Sequence, residues 1–273
     1  MKSILITGTS SGIGLDVARA LKDRYLVITT ARDAKDVKAL REEGFESFLM
    51  DIRCPDLIDK TLEKVLRATN GKIDILFNNA GYGQPSSIED LKVEVLREQF
   101  ETNVFGLHHL TRRVIPIMRK NGGGKIIQHS SILGLISLKF RGAYNASKYA
   151  VEGLTDTLRL ELKGSNIYVS TLNTGPIVSK FRENALQKFN ENVDVENSYF
   201  SKIYKREVRK RLESKEKESI FTKNSDAVIE KIEHILDSKK PKPRYYITKA
   251  SSILAFFKRI LPTSYLDKIL VKI

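Results

Sequence analysis

Residues 3–14 read Ser3-Ile4-Leu5-Ile6-Thr7-Gly8-Thr9-Ser10-Ser11-Gly12-Ile13-Gly14. The first five form a short apolar run that stops at a glycine, the pattern of a buried strand. From Gly12 to Lys22 the spacing becomes helical, with Ile13, Val17, Ala20 and Leu21 on one side. The glycines therefore lie on a strand-to-helix turn. Gly8 permits the tight turn, Gly12 lets a ligand diphosphate approach the backbone, and Gly14 lets helix and strand pack closely. The N–H groups that open the helix face such phosphates. Gly8, Ser10, Ser11, Gly12, Ile13 and Gly14 are thus the first candidate binding residues. The spacing is G-x-x-x-G-x-G rather than the commoner G-x-G-x-x-G.

Further strand-like runs follow at 25–30, 46–50, 73–77, 125–129 and 167–172, with longer amphipathic stretches between them. Such alternation implies parallel strands with crossover helices on both faces. The expected fold class is α/β: a Rossmann-like, doubly wound parallel sheet in a single domain. Ligands of such sheets bind beyond the C-terminal strand ends, where the strand order reverses. The expected body spans 1–247 and the expected C-terminal helical extension spans 248–273. Within the body, residues 180–222 lack strand patterns and read as a substrate lid. From Lys202 to Glu218 this segment carries eight basic and four acidic residues at helical spacing, which also suits a solvated helix face.

The second strand ends in Thr30-Ala31-Arg32-Asp33. An acid at that strand end would bind a ribose 2′-hydroxyl. Arg32 there suits a 2′-phosphate and argues for NADP(H). Asp33, one position later, is the feature that favours NAD(H).

A single cysteine, Cys54, excludes an intrachain disulfide and fits a reducing, cytoplasmic setting. The first strand begins at Ser3, which leaves no room for a signal peptide ahead of it. No apolar run approaches the ~20 residues that span a bilayer. The net charge is +14, yet from Lys239 onward nine basic residues face one acid, so the tail alone carries +8. A catalytic body this mildly basic argues against nucleic acid as a partner, and no reading helix or aromatic platform is evident. No metal site is expected, since His108 and His109 are adjacent and diverge by about 100° on a helix.

Taken together, the Gly8–Gly14 loop, Asp51-Ile52, Asn78-Asn79-Ala80-Gly81, Asn103, Ser130-Ser131, Tyr144-Asn145-Ala146-Ser147-Lys148 and Gly175-Pro176-Ile177 resemble the short-chain dehydrogenase/reductase family. The resemblance is dense over 3–180. It implies that Asp51 binds the adenine amine with Ile52 beside it, and that Asn79, Ala80 and Gly81 line the adenosine side. It implies further that Ser11 and Arg32 hold the 2′-phosphate, and that Gly175 and Ile177 meet the carboxamide. Ser179 stands where the family has threonine, and Thr174 where it has proline. Lys240–Tyr245, an apolar helix and Arg259-Ile260-Leu261-Pro262 are similar to the hydroxysteroid/retinol-dehydrogenase-like branch, and to bacterial NADP-dependent aldehyde reductases in particular.

Tyr144 and Lys148 stand one turn apart on a predicted helix. A phenol of pKa about 10 is a poor acid/base at neutral pH. The Lys148 ammonium is expected to lower that value while donating to the nicotinamide ribose. Ser131, thirteen residues before Tyr144, is expected to polarise the same carbonyl oxygen. Asn103 is expected to hold a water that links Lys148 to solvent. The expected activity is an NADPH-dependent carbonyl reductase or alcohol dehydrogenase. The alternative is a cofactor-binding sensor with little turnover, against which the intact Ser131/Tyr144/Lys148 set counts.

The apolar loop Ile132–Phe140 would border the substrate and argues for a hydrophobic aldehyde or ketone, with Tyr82, Gln84 and the lid completing the pocket. No arginine cluster in the sequence calls for an acidic substrate. A homo-oligomer is expected. In the tail, Ile253, Leu254, Phe256, Phe257, Ile260 and Leu261 form one broad helical face that Pro262 ends. Leu266, Ile269, Leu270 and Ile273 begin a second. Packing on the body or on a partner subunit is the expected fate, with weak peripheral membrane contact through the basic tail as the alternative.

Overall fold

The computed structural model describes residues 1–214, 219 and 221–273. The strands are β1 (Ser3–Ile6), β2 (Leu26–Ala31), β3 (Glu46–Leu49), β4 (Ile75–Asn78), β5 (Gly124–Ser131), β6 (Ile167–Thr174) and β7 (Arg244–Tyr246). They form one parallel sheet in the order β3-β2-β1-β4-β5-β6-β7. The chain thus builds outward from β1 to β3 and then in the other direction from β4. The reversal falls between β1 and β4, and the Gly8 turn leaves β1 there.

Both sheet faces are covered, which is why the central strands are apolar throughout rather than alternating. Helices α1 (Gly12–Leu21) and α2 (Ala34–Glu42) share one face with α10 (Asp226–Asp237); Val17, Leu21, Val37, Leu40, Val228 and Ile232 are buried against the sheet. The other face takes α3 (Pro55–Ala68), α5 (Leu107–Lys120) and α6 (Gly142–Glu161). Ile58, Leu62, Leu110, Val114 and Met118 bury there. Burial of each such side chain stabilises by roughly 1.5–3 kcal/mol.

Ahead of α5, α4 (Val93–Phe100) runs into a π-helical turn, Glu101–Gly106. This turn presses on the loop after β3. A Cβ on Gly106 would stand 2.0 Å from the Ile52 carbonyl oxygen, so only glycine allows the approach.

Strand β7 had no counterpart in the sequence reading. It is three residues long and carries Arg244, so it lacks a strand pattern. Its place at the sheet edge is fixed by side chains: Arg244 pairs with Glu152 at 3.1 Å and with Asp156, both on α6.

The lid comprises α7 (Phe181–Asn192), α8 (Ser201–Ile203), a π-helical turn Tyr204–Val208 and α9 (Arg209–Glu213). Of the charged run that ends at Glu218, residues 215–218 lie outside the described residues. The lid is fastened rather than loose. Tyr204 is fully buried; its hydroxyl donates to Asp90 Oδ2 and accepts from the Ser87 N–H at 2.8 Å. Ser198 and Ser87 also donate to Asp90, each at 2.7 Å. Phe140 and Phe189 pack edge-on to the Tyr204 ring, and Phe200 packs edge-on to Phe140 beside it.

The tail forms α11 (Lys249–Ile260) and α12 (Thr263–Leu270). Its single expected face divides. Leu254, Phe257, Leu261, Leu266 and Leu270 pack on Ile132, Leu133 and Ile136. Ile253, Phe256 and Ile260 are exposed. Ile132, Leu133 and Ile136 thus support the tail, and Leu135, Leu138 and Tyr144 pack against the same cluster. Among the described residues no helix is long and apolar enough to cross a membrane.

Candidate functional site

The site assembles at the crevice between β1 and β4. Gly8 has φ +68°, and a Cβ there would stand 2.8 Å from Ala80 Cα. Gly14 is equally tight: a Cβ would lie 2.4 Å from Asn79 Nδ2. Asn79 explains both close approaches. Its Nδ2 donates to the carbonyls of Thr7 (2.9 Å) and Gly8 (3.0 Å), and its Oδ1 accepts from His129 Nδ1 at 2.9 Å. Asn79 thus acts as a strut beneath the glycine turn, with its amide fully used. The Thr7 hydroxyl accepts from the N–H groups of Asn79 and Ala80, both at 3.0 Å, and joins the two strand ends.

Several features suit a nucleotide diphosphate above this turn. Gly12 has φ +58°, and its missing side chain leaves space bounded only by Ser179 Cβ at 3.7 Å. Ser11 makes no side-chain cap, so the N–H groups of Ser11, Gly12 and Ile13 are left for a ligand. Ser10 is exposed on the same turn. Gly81 leaves room beside the cations: its Cβ would stand 3.1 Å from Asn103 Oδ1 and 3.8 Å from Lys148 Nζ. The residues present fit the cofactor that the sequence implies.

Arg32 extends into solvent, its charge 3.9 Å from Asp33, and its guanidinium is available to a 2′-phosphate. Asp51 is less open than expected. Arg53 grips both carboxylate oxygens, at 3.1 and 2.7 Å, and holds the acid below the usual carboxylate range. Any contact of Asp51 with adenine must share it with Arg53, a residue the sequence reading passed over. Ile52 is buried in the core, as is Ile177. Only their main chains remain for a cofactor. Gly175 abuts Thr248, the N-cap of α11; a Cβ would stand 2.2 Å from the Thr248 hydroxyl. Ser179 bonds locally, donating to the Ile177 carbonyl at 3.3 Å.

Tyr144 and Lys148 sit on the first turns of α6, as the spacing required. Lys148 Nζ donates to the His129 carbonyl at 2.6 Å and lies 5.6 Å from the centre of the Tyr144 ring. His129, on β5, is thus a second residue missing from the sequence reading: it holds Lys148 through its main chain and Asn79 through its ring. Its sequence signal was nil, because a lone histidine in a strand looks structural. Ser131 also lies at the end of β5. Its hydroxyl accepts from the Leu133 N–H at 3.1 Å and donates to the Thr174 carbonyl at 3.3 Å, near enough to Tyr144 to act on its phenol.

Asn103 lies in the π-helical turn with its amide committed. Its Oδ1 accepts from the Tyr82 N–H (3.1 Å), and its Nδ2 donates to the Tyr82 carbonyl (2.9 Å) and the Ser147 hydroxyl (3.1 Å). A water beside Lys148 would be held by the Asn103 main chain. Gln84 is buried and ties the loop after β4 to α7, through Lys188 and Asn192. Phe181, at the start of α7, stands edge-on to Tyr144 with ring centres 5.3 Å apart.

Burial pushes the Tyr144 phenol up to about 12; the nearby Ser131 hydroxyl and the charge of Arg141 pull it back only in part. Burial lowers Lys148 itself to about 8, against the opposing charge of Glu152. The pair is therefore a protonated phenol beside a cation with a weakened hold on its proton.

Residues 2–190 match the family model for short chain dehydrogenases. The chain is 38% identical over 270 residues to the uncharacterized oxidoreductase YbbO of Escherichia coli strain K12, covering 98% of this chain and 94% of that one. It is 29% identical to an NADPH-dependent 3-dehydrocapnine reductase of Ornithobacterium rhinotracheale, covering 100% and 97%. A crystal structure of a short-chain dehydrogenase from Streptomyces avermitilis superposes with a TM-score of 0.78 at 27% identity, covering 98% of this chain and 93% of that one. With the glycine turn, the sheet reversal and the Tyr144–Lys148 turn in the places described, the chain belongs to the short-chain dehydrogenase family of nicotinamide-dependent oxidoreductases.

Proposed function

We propose that this protein is an NADPH-dependent reductase of a carbonyl compound, with Tyr144 as the proton donor. The observation that carries the reading is the arrangement: Tyr144 and Lys148 stand one turn apart on α6, and Ser131 ends β5 beside them, in the crevice that the glycine turn opens. Burial raises the phenol to about 12, which favours donation of its proton to a developing alkoxide.

NADPH, when bound, supplies the hydride. The chain's own residues orient and polarise. Ser131 donates to the carbonyl oxygen and stabilises its growing charge. Tyr144 Oη gives that oxygen its proton. Lys148 binds the nicotinamide ribose and keeps a positive charge beside the phenol. Gly12, Ser11 and Ile13 take the diphosphate at the start of α1. Arg32, with Ser11, takes the 2′-phosphate, and a relative named for NADPH-dependent reduction supports that choice. A homo-oligomer in the cytoplasm belongs to the same proposal, and exposed Phe105, Tyr149 and Leu154 offer the apolar surface that a partner subunit would cover.

The experiment is a panel of aldehydes, steroids and retinoids screened by loss of NADPH absorbance, with Tyr144→Phe alongside. The reading requires turnover of at least one carbonyl class by the wild type and its loss in the variant. A wild type that binds NADPH and reduces none of them would instead favour the sensor.

A further inference from the structure

Arg141 is the residue that the proposed mechanism leaves unexplained. It N-caps α6, three residues before Tyr144. Its Nε is buried and has no hydrogen-bond partner, and the guanidinium forms no ion pair among the described residues. An unpaired buried charge costs several kcal/mol, and buried polar groups in folded proteins are almost always satisfied. Burial, and after it the charges of Arg211 and Arg182 on the lid, lower Arg141 to about 9. Arg182 is itself anchored by the carbonyls of Arg211 and Ser214, at 3.2 and 3.3 Å, and by the Ser214 hydroxyl at 2.8 Å.

The backbone is strained at the same point. Phe140, the residue before, has φ +58°, which a bulky side chain rarely adopts. Two contacts hold it there: its carbonyl accepts from the Ser86 N–H at 3.1 Å, and its ring is wedged against Phe200 and Tyr204 of the lid. The left-handed residue turns the chain so that Arg141 enters the site.

Direction along α6 says which ligand Arg141 faces. Lys148 lies seven residues further on, about 10 Å at 1.5 Å per residue, with Tyr144 between them. Lys148 looks to the glycine turn. Arg141 is on the far side of the Tyr144 hydroxyl, under the lid, where a substrate rather than a cofactor would lie.

We propose that the substrate of this enzyme carries an anionic group — carboxylate, sulfonate or phosphate — close to its carbonyl, and that Arg141 receives it beneath the lid. This rests on the reductase reading and deepens it.

The test is steady-state reduction by the full chain with NADPH. The substrates are para-substituted benzaldehydes that carry a carboxylate, a sulfonate, a phosphate or, as the neutral control, a methyl ester. The readout is the ratio of kcat/KM for each anion to that for the ester. The wild type should favour at least one anion, and which one names the source. Arg141→Gln should collapse that ratio on the order of ten- to a hundredfold, the span of a charge-assisted hydrogen bond. Arg141→Lys should fall between, since it keeps the charge and loses the fork. An unchanged ratio in Arg141→Gln, with all rates lowered together and the pH profile displaced, would mean that Arg141 only tunes Tyr144, and overturns the proposal. So does a wild type that prefers the ester to every anion, a result that stands even if the variants fail to fold. In that case ester reduction leaves the reductase reading intact. If the wild type reduces no aldehyde, both fail.

Discussion

The two flanks of Tyr144 on α6 are opposites. On the Lys148 side the polar framework is closed: the ammonium meets the His129 carbonyl, His129 meets Asn79, and Asn79 meets the carbonyls of Thr7 and Gly8. On the Arg141 side the guanidinium's Nε is buried with no hydrogen-bond partner among the described residues. The first flank is preorganised for a cofactor whose shape never changes, so its hydrogen bonds can be made within the protein. The second holds charge in reserve, which is economical only if a ligand completes it. The difference assigns the two cations to two different occupants.

The comparison predicts effects of graded size. The largest is Tyr144→Phe, which removes the proton donor both flanks serve. Turnover should fall by about 10²- to 10⁴-fold while NADPH binding, followed by its fluorescence, stays near the wild type. Near-normal rates would refute the assignment.

Next is Arg32→Ala on the cofactor flank. NADPH affinity should weaken by roughly 1.5–3 kcal/mol, the value of a charged hydrogen bond, and NADH affinity should hardly change. Equal wild-type affinities for the two cofactors in a titration would sink the 2′-phosphate role.

The lid should respond to Tyr204→Phe. Loss of the hydroxyl leaves Asp90 and the Ser87 N–H each short of a partner, at a cost of about 1–3 kcal/mol. If Arg141 is held in place by the lid, KM should rise more than kcat falls. A change in urea midpoint with no change in KM would separate lid stability from substrate binding.

Two pH effects sharpen the closed flank. Reduction needs a charged Lys148, and burial lowers its value to about 8. Activity should therefore hold through neutral pH and decline as pH rises above about 8; Lys148→Arg should push that decline upward. Burial also lowers His129 to about 3 from the usual 6.5, with the Lys148 charge adding to the effect. The unfolded chain takes up this proton below 6.5 and the folded one does not. Stability should thus fall as pH drops from about 6.5 towards 3, by at most about 1.4 kcal/mol per pH unit from this residue. Urea midpoints across that window should be flatter in His129→Gln.

The sequence determined what depends on residues near one another. The Gly8–Gly14 turn, the alternating elements, Ser131 and the Tyr144–Lys148 turn are local patterns, because a strand end, a helix start and one helical turn each span a few residues. Strand edges shifted by one or two residues. Tertiary structure decided the rest. The three-residue β7 is placed by its backbone pairing with β6, by the buried Tyr245 and by the ion pairs of Arg244 with Glu152 and Asp156, all contacts with residues distant in sequence. The tail's apolar face divides because one half meets Ile132, Leu133 and Ile136 and the other half meets solvent. The phenol's high value follows from burial, which no spacing encodes. Arg141 carried no signal in the sequence; the left-handed turn at Phe140 and the packing around it leave its Nε buried without a hydrogen-bond partner. Burial and long-range charge are sums over neighbours that the linear chain does not list, and it is those sums that set the chemistry at this site.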